Sequence, residues 1–167
     1  MLKEFRPDGM EDLILLVAAY RPGPMKFIPE IIQVKNGEKR PYYCMDSLKE
    51  ILTPTYGYPI YQEQLMQIFH TCAGFSLGEA DIIRRYMSKK KEKEFLRYKP
   101  KFLEGIQSNG ASAQDAEELW DSLVDFARYG FNKSHAAAYA VISYQSAWLK
   151  FHYPDIYMCS VLNHSLL

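Results

Sequence analysis

Lys133, Ser134 and His135 follow one another inside the stretch Tyr129-Gly130-Phe131-Asn132-Lys133-Ser134-His135-Ala136-Ala137-Ala138-Tyr139. An ammonium, a hydroxyl and an imidazole at the start of a helix can seat an anion, because the first N–H groups of a helix lack partners and that end is positive. Gly130 suits the left-handed residue that closes a preceding helix. Ser134 suits the N-cap of the next one. Tyr129 and Phe131 add flat faces on which a base can stack. A glycine followed by a serine cap also joins ordinary helix pairs, and a histidine in a first turn is commonly a surface residue. Local chemistry leaves both readings open.

A second cationic stretch runs from Arg84 to Lys101, with nine basic and two acidic residues. A solvated helix face normally alternates in sign. This run is one-sided, which suits a polyanion whose counterions are released on binding; a plain solvated linker is the alternative. Cys44, Cys72 and Cys159 are odd in number and widely spaced, which fits neither a disulfide framework nor a zinc motif and points to a reducing compartment. Two-metal phosphoryl transfer needs closely spaced carboxylates on a rigid sheet, and the sequence has no Asp-x-Asp. Glu63, Glu79 and Asp81 read as helix caps or as partners of nearby cations.

The elements that must hold these residues are helical. The 167 residues suffice for one domain with its own core. Net charge is zero, so overall charge favours neither DNA nor membrane. Leu13–Tyr20 is the longest apolar run, too short to span a bilayer and without a basic leader. Asp8-Gly9-Met10-Glu11 reads as a capping box before it, and Arg21-Pro22-Gly23-Pro24 ends that helix. A short helix follows Pro29 and stops at Asn36-Gly37; Lys39–Tyr43 is the one stretch expected to be extended. Asp46 is expected to cap a helix ended by Pro54. Tyr61, Leu65, Ile68, Phe69 and Cys72 share one helical face, and Gly74 closes that helix. Ser76-Leu77-Gly78-Glu79 is a second capping box. Pro100 predicts a break in the basic run. Ser112 opens a helix directed at Tyr129, and a long helix runs from Ser134 to Tyr153, where Pro154 starts the last one. The fold class is all-α: seven to nine helices with little or no sheet, in one unit over residues 1–167.

Several strings taken together resemble one family. They are Ala19-Tyr20-Arg21-Pro22-Gly23-Pro24-Met25, Thr55-Tyr56-Gly57, Tyr61-Gln62-Glu63-Gln64-Leu65-Met66-Gln67-Ile68 and Ala73–Asp81 running into Arg84-Arg85 and Lys89-Lys90-Lys91. Tyr129–Tyr139 and Ala147-Trp148-Leu149-Lys150 with His152-Tyr153-Pro154 complete the set. In this order they resemble the fingers of the replicative C-family DNA polymerases of bacteria, the polymerase III alpha subunit. The resemblance implies a fragment of a longer chain, with the palm upstream and absent. It implies that Arg84 and Arg85 contact the phosphates of an incoming dNTP, that His135 stands near its sugar and excludes ribonucleotides, and that Tyr129 lies by the nascent base pair. Asn132, Lys133 and Ser134 share that dNTP-binding loop, and Lys89, Lys90 and Lys91 reach phosphates, with Ser88 standing where the family has glycine.

It further implies partners in primer–template DNA, the rest of the alpha chain and the replisome subunits, in the cytoplasm and away from any membrane. Mg2+ is expected in the full-length enzyme, held by the palm, with no cofactor or metal bound by this chain and no catalytic residue in it. The chain alone is therefore expected to be inactive as a polymerase. Two rivals remain: a non-catalytic helical nucleic-acid-binding module, and a helical protein-interaction module.

Overall fold

A computed structural model describes residues 1–89, 91–127 and 130–165, without the side chains of Asp125 and Ala127. Eleven α segments appear among them: α1 (Leu2–Phe5), α2 (Met10–Ala19), α3 (Ile28–Lys35), α4 (Asp46–Leu52), α5 (Gln62–Gln67), α6 (Leu77–Ser88), α7 (Glu92–Leu96), α8 (Lys99–Ser108), α9 (Ala113–Ala127), α10 (Lys133–His152) and α11 (Pro154–Ser165). Three of them, α1, α5 and α7, have six residues or fewer. The fold is all-α, as expected. Lys39–Tyr43 forms no strand; the bridge seen among the described residues is a single parallel pair, Tyr61 with Phe131.

Local signals fix many of the ends. Ser76 accepts the Glu79 N–H at 3.3 Å while the Glu79 carboxylate takes the Ser76 N–H at 3.0 Å, closing the capping box that opens α6. Ser112 does the same service for Asp115 at α9. Gly74 ends the preceding helix at φ 73°, a conformation that costs a side chain 1–2 kcal/mol, roughly. The break predicted at Pro100 falls just before it, between α7 and α8, so that the proline sits in a first turn where its missing N–H is harmless.

Other ends differ from the sequence reading. Asp8 does not cap α2. Gly9 takes that position, and the Asp8 N–H donates instead to the Asp12 carboxylate at 2.9 Å. The reason is Lys35, whose ammonium pairs with both Asp8 and Asp12 and draws their side chains away from the helix end. At α4 the cap is Met45, and Asp46 becomes the first helical residue, where its charge favours the positive helix end. The helix expected from Ile60 to Cys72 changes gauge partway: Ile68–Cys72 is a π turn continuing α5.

Two apolar clusters share the interior. One is built by α4 to α9 around Trp120, which stacks on Phe95 at 4.8 Å and meets Phe69 and Phe102. Gly105 lets α8 approach the π turn, because a Cβ there would sit 2.0 Å from the Ala73 carbonyl oxygen. The second cluster joins α1, α2 and α3 to Ile60, Tyr61, Phe126 and the small residues Ala136 and Ala140 of α10. Past Ala140, α10 and α11 stand out from both clusters, with Ile142, Phe151, Ile156 and Leu162 exposed.

Candidate functional site

The segment 130–135 is strung between two helices by its backbone. The Phe131 N–H donates to the Ile60 carbonyl at 3.3 Å, and the Gln62 N–H donates to the Phe131 carbonyl at 3.0 Å. Gln62 then reaches outward. Its side-chain Nε2 donates to the Gly130 carbonyl at 3.0 Å and to Ser88 Oγ at 3.2 Å, and Ser88 Oγ donates to the Arg84 carbonyl at 3.0 Å. One amide therefore ties the C-terminal turn of α6, which carries Arg84 and Arg85, to the loop that leads into His135. Ser88 earns its place in this structure by closing that turn.

The α10 start differs from the sequence reading. Its N-cap is Asn132, whose side chain accepts the His135 N–H at 3.1 Å; Ser134 lies inside the first turn and donates its hydroxyl to Asn132. The Lys133 N–H is held by both oxygens of Glu63, at 3.2 Å each. The anion seat expected at this helix end is thus filled by the chain's own Glu63 and Asn132, and the Lys133 ammonium pairs with Glu11 at 2.8 Å. The space at Gly130 is tight: a Cβ would lie 3.3 Å from the Phe126 carbonyl and 3.4 Å from the side chains of Gln62 and Leu65. Tyr129 and Lys90 lie outside the described residues.

Arg84 and Arg85 both pair with Asp81, at 2.7 and 2.8 Å. The hydrogen bond from Arg84, above all, holds the Asp81 carboxyl below the usual carboxylate range. Arg85 keeps 65% of its side chain exposed and Arg84 31%, so Arg85 is the more available of the two. Part of the basic run is neutralised from other helices, with Lys99 on Glu117 and Lys101 on Glu79. Lys89, Lys91, Lys93 and Arg97 form no ion pair among the described residues.

His135 sits in an aromatic row. Its ring centroid is 5.1 Å from Phe131, edge to face, and 4.6 Å from Tyr139. The other face of the row carries a residue not singled out from sequence: the Arg21 guanidinium lies over the Phe131 ring, 3.6 Å from its centroid. Beneath the loop, Tyr61 is buried with its hydroxyl unpartnered among the described residues; burial first, then Glu11 and Glu63, pushes its pKa up. Gln62 and Glu63 had no local signal for these contacts, since their partners lie 26 to 70 residues away.

The acids here do not fit a divalent ion. Glu63 is committed to a backbone N–H, Asp81 to two arginines and Glu79 to Ser76 and Lys101. Among the described residues no three His, Cys, Asp or Glu side chains gather to hold a metal. A cavity of about 140 Å³ between Tyr42, Leu48, Gly57, Asp115 and Glu118 is lined by acids and apolar groups and does not suit a phosphate.

Residues 1–110 match the family described as the bacterial DNA polymerase III alpha subunit finger domain. The chain belongs to that family. It is 51% identical over 166 residues to the DNA polymerase III subunit alpha of Borreliella burgdorferi, covering 99% of this chain and 14% of that protein. Identity to the subunit of Xylella fastidiosa is 49% with the same coverage, and to that of Bacillus subtilis 48% over 97% of this chain and 14% of the relative. The chain thus spans about one-seventh of the length of these relatives, as an all-α finger domain of the polymerase III alpha type. No helix among the described residues is long and apolar enough to cross a membrane.

Proposed function

We propose that this finger domain binds the incoming dNTP and primer–template DNA within a longer, DNA-directed DNA polymerase. The observation that carries the proposal is the Gln62 bridge: it joins Ser88, one turn beyond the paired arginines, to Gly130, which leads into the His135 row. Cations suited to a polyphosphate and an aromatic row suited to a sugar and base then serve one ligand. Arg84 and Arg85 bind phosphate oxygens through charge-assisted hydrogen bonds, exchanging part of their pairing with Asp81. His135 fills the space a 2′-OH would need, which discriminates by volume alone. Asn132, Lys133 and Ser134 hold the loop that presents it, and Tyr129 flanks the base pair. The unpaired cations Lys89, Lys91, Lys93 and Arg97, with Lys90 between them in sequence, contact the DNA backbone, a salt-dependent contribution.

Chemistry on the primer 3′-OH needs metal-holding carboxylates that these residues do not supply, so the chain by itself does not extend a primer. Its contribution is to close over a correct pair and complete the phosphate cage. The test is Arg85→Ala in the full-length subunit. Loss of a charge-assisted bond of about 1.5–3 kcal/mol raises the dNTP KM or lowers kcat by about tenfold or more; wild-type kinetics would overturn the assignment.

A further inference from the structure

Arg21 is an exposed cation of this face with no ion pair among the described residues. Arg84 and Arg85 pair with Asp81, and Lys133 pairs with Glu11. The Arg21 guanidinium has neither an ion pair nor a hydrogen bond among the described residues; what holds it is the Phe131 ring, 3.6 Å below its central carbon. That separation is a close stacking contact, and because the side chain is exposed its N–H donors remain open to a ligand. Stacking of this kind is available to arginine and not to lysine.

Both members of the pair are fixed from behind. Phe131 is held by the backbone bonds to Ile60 and Gln62. Arg21 lies in a tight turn, its N–H on the Ala19 carbonyl at 2.8 Å and its carbonyl accepting the Met25 N–H at 2.9 Å. Pro22 and Pro24 restrict the backbone on its C-terminal side. The ordering of a long side chain is therefore largely complete before a ligand arrives, which lowers the cost of binding. The same Phe131 ring meets His135 at 5.1 Å, so a nucleotide whose sugar rests on His135 carries its phosphates towards a guanidinium already in position.

We propose that Arg21 is a phosphate-binding residue of this face, with Phe131 as the platform that aims it. The inference rests on the reading of the face as a nucleotide site. The phosphate belongs either to the triphosphate or to the DNA backbone; the chemistry at Arg21 is the same, a planar donor fork on paired oxygens.

The experiment uses the full-length subunit carrying Arg21→Ala, Arg21→Lys or Arg21→Gln, beside Arg85→Ala and His135→Ala. Measured are dNTP KM and kcat, primer–template Kd across a range of salt, and Tm. If the triphosphate is the ligand, Arg21→Ala raises dNTP KM by about tenfold at unchanged DNA affinity and Tm, and Arg21→Lys recovers only part of the loss. If the DNA is the ligand, dNTP KM holds while primer–template Kd rises and its log–log salt slope falls by about one. Arg21→Gln leaves a planar, uncharged group on Phe131; it reproduces either loss if charge on the fork is what matters, and serves in place of Arg21→Ala should that variant fold poorly. Normal KM and normal DNA affinity in Arg21→Ala overturn the proposal, as does a loss that only tracks a lowered Tm. If Arg85→Ala and His135→Ala are impaired while Arg21→Ala is not, this inference fails alone. If all three are silent, the nucleotide reading of the face fails with it.

Discussion

Both carboxylate oxygens of Glu63 lie 3.2 Å from the backbone nitrogen of Lys133. A side chain from α5 thus supplies the negative charge that the positive end of α10 attracts, and fixes where that helix begins. Glu63→Gln keeps the shape and removes the charge. The expected loss is about 1 kcal/mol, the scale of a helix-end charge or cap, read as a lower midpoint in thermal unfolding. A variant as stable as the parent would show that the contact does not hold the helix start.

The His135 ring meets Phe131 and Tyr139 and has no hydrogen-bond partner among the described residues. In the full-length subunit His135→Ala is expected to lower the preference for deoxy- over ribonucleotides by about tenfold, the scale of a steric mismatch. The ratio of kcat/KM for the matched pair of triphosphates measures it. Unchanged sugar selectivity would remove His135 from that role.

Gly105 meets the Ala73 carbonyl where no methyl group fits. Backbone cannot step aside as a side-chain tip can, so Gly105→Ala forces α8 off the π turn. A cost of about 3 kcal/mol is expected, at the upper end of overpacking effects, and chemical denaturation with an unchanged m-value would register it. Wild-type stability would mean that the two elements yield freely.

Acid should uncouple α6 from α8. Lys101, then the Ser76 N–H and hydroxyl, hold the Glu79 carboxyl down from its ordinary 4.5 to about 2. A carboxyl with a lowered folded pKa stabilises fully above its ordinary pKa and progressively less as pH falls from about 4.5 towards about 2. Glu79→Gln removes that part of the acid sensitivity, so the stability–pH curve of the variant flattens in this window. Parallel curves for variant and parent would contradict the assignment.

What was legible from sequence was what neighbours in sequence decide. The Ser76–Glu79 box, the stop at Gly74, the start at Ser112 and the proline at the head of α11 all rest on contacts within four residues. The arginine pair and the His135 loop could be singled out by residue type. The cap of α10 could not be settled that way, because asparagine and serine are equally good caps and the choice of Asn132 comes with Glu63, seventy positions away. Asp8 was lost to Lys35 for the same reason. The π turn was invisible because Tyr61, Leu65, Ile68, Phe69 and Cys72 fit an α-helical face just as well. Arg21 gave no signal beyond standing before a proline; its meaning comes from Phe131.

Gln64 has one more consequence. Its amide nitrogen donates to the Ile51 carbonyl at 3.0 Å and to Thr55 Oγ1 at 2.7 Å, while its oxygen accepts the N–H groups of Ile60 and Tyr61 at 2.9 and 3.0 Å. The first pair of partners belongs with α4 and the cluster around Trp120, the second with the cluster around α2. Every hydrogen-bonding valence of the side chain is spent across that seam. Neither cluster can loosen there without stranding a polar group of the other away from water, so the two clusters are expected to melt together.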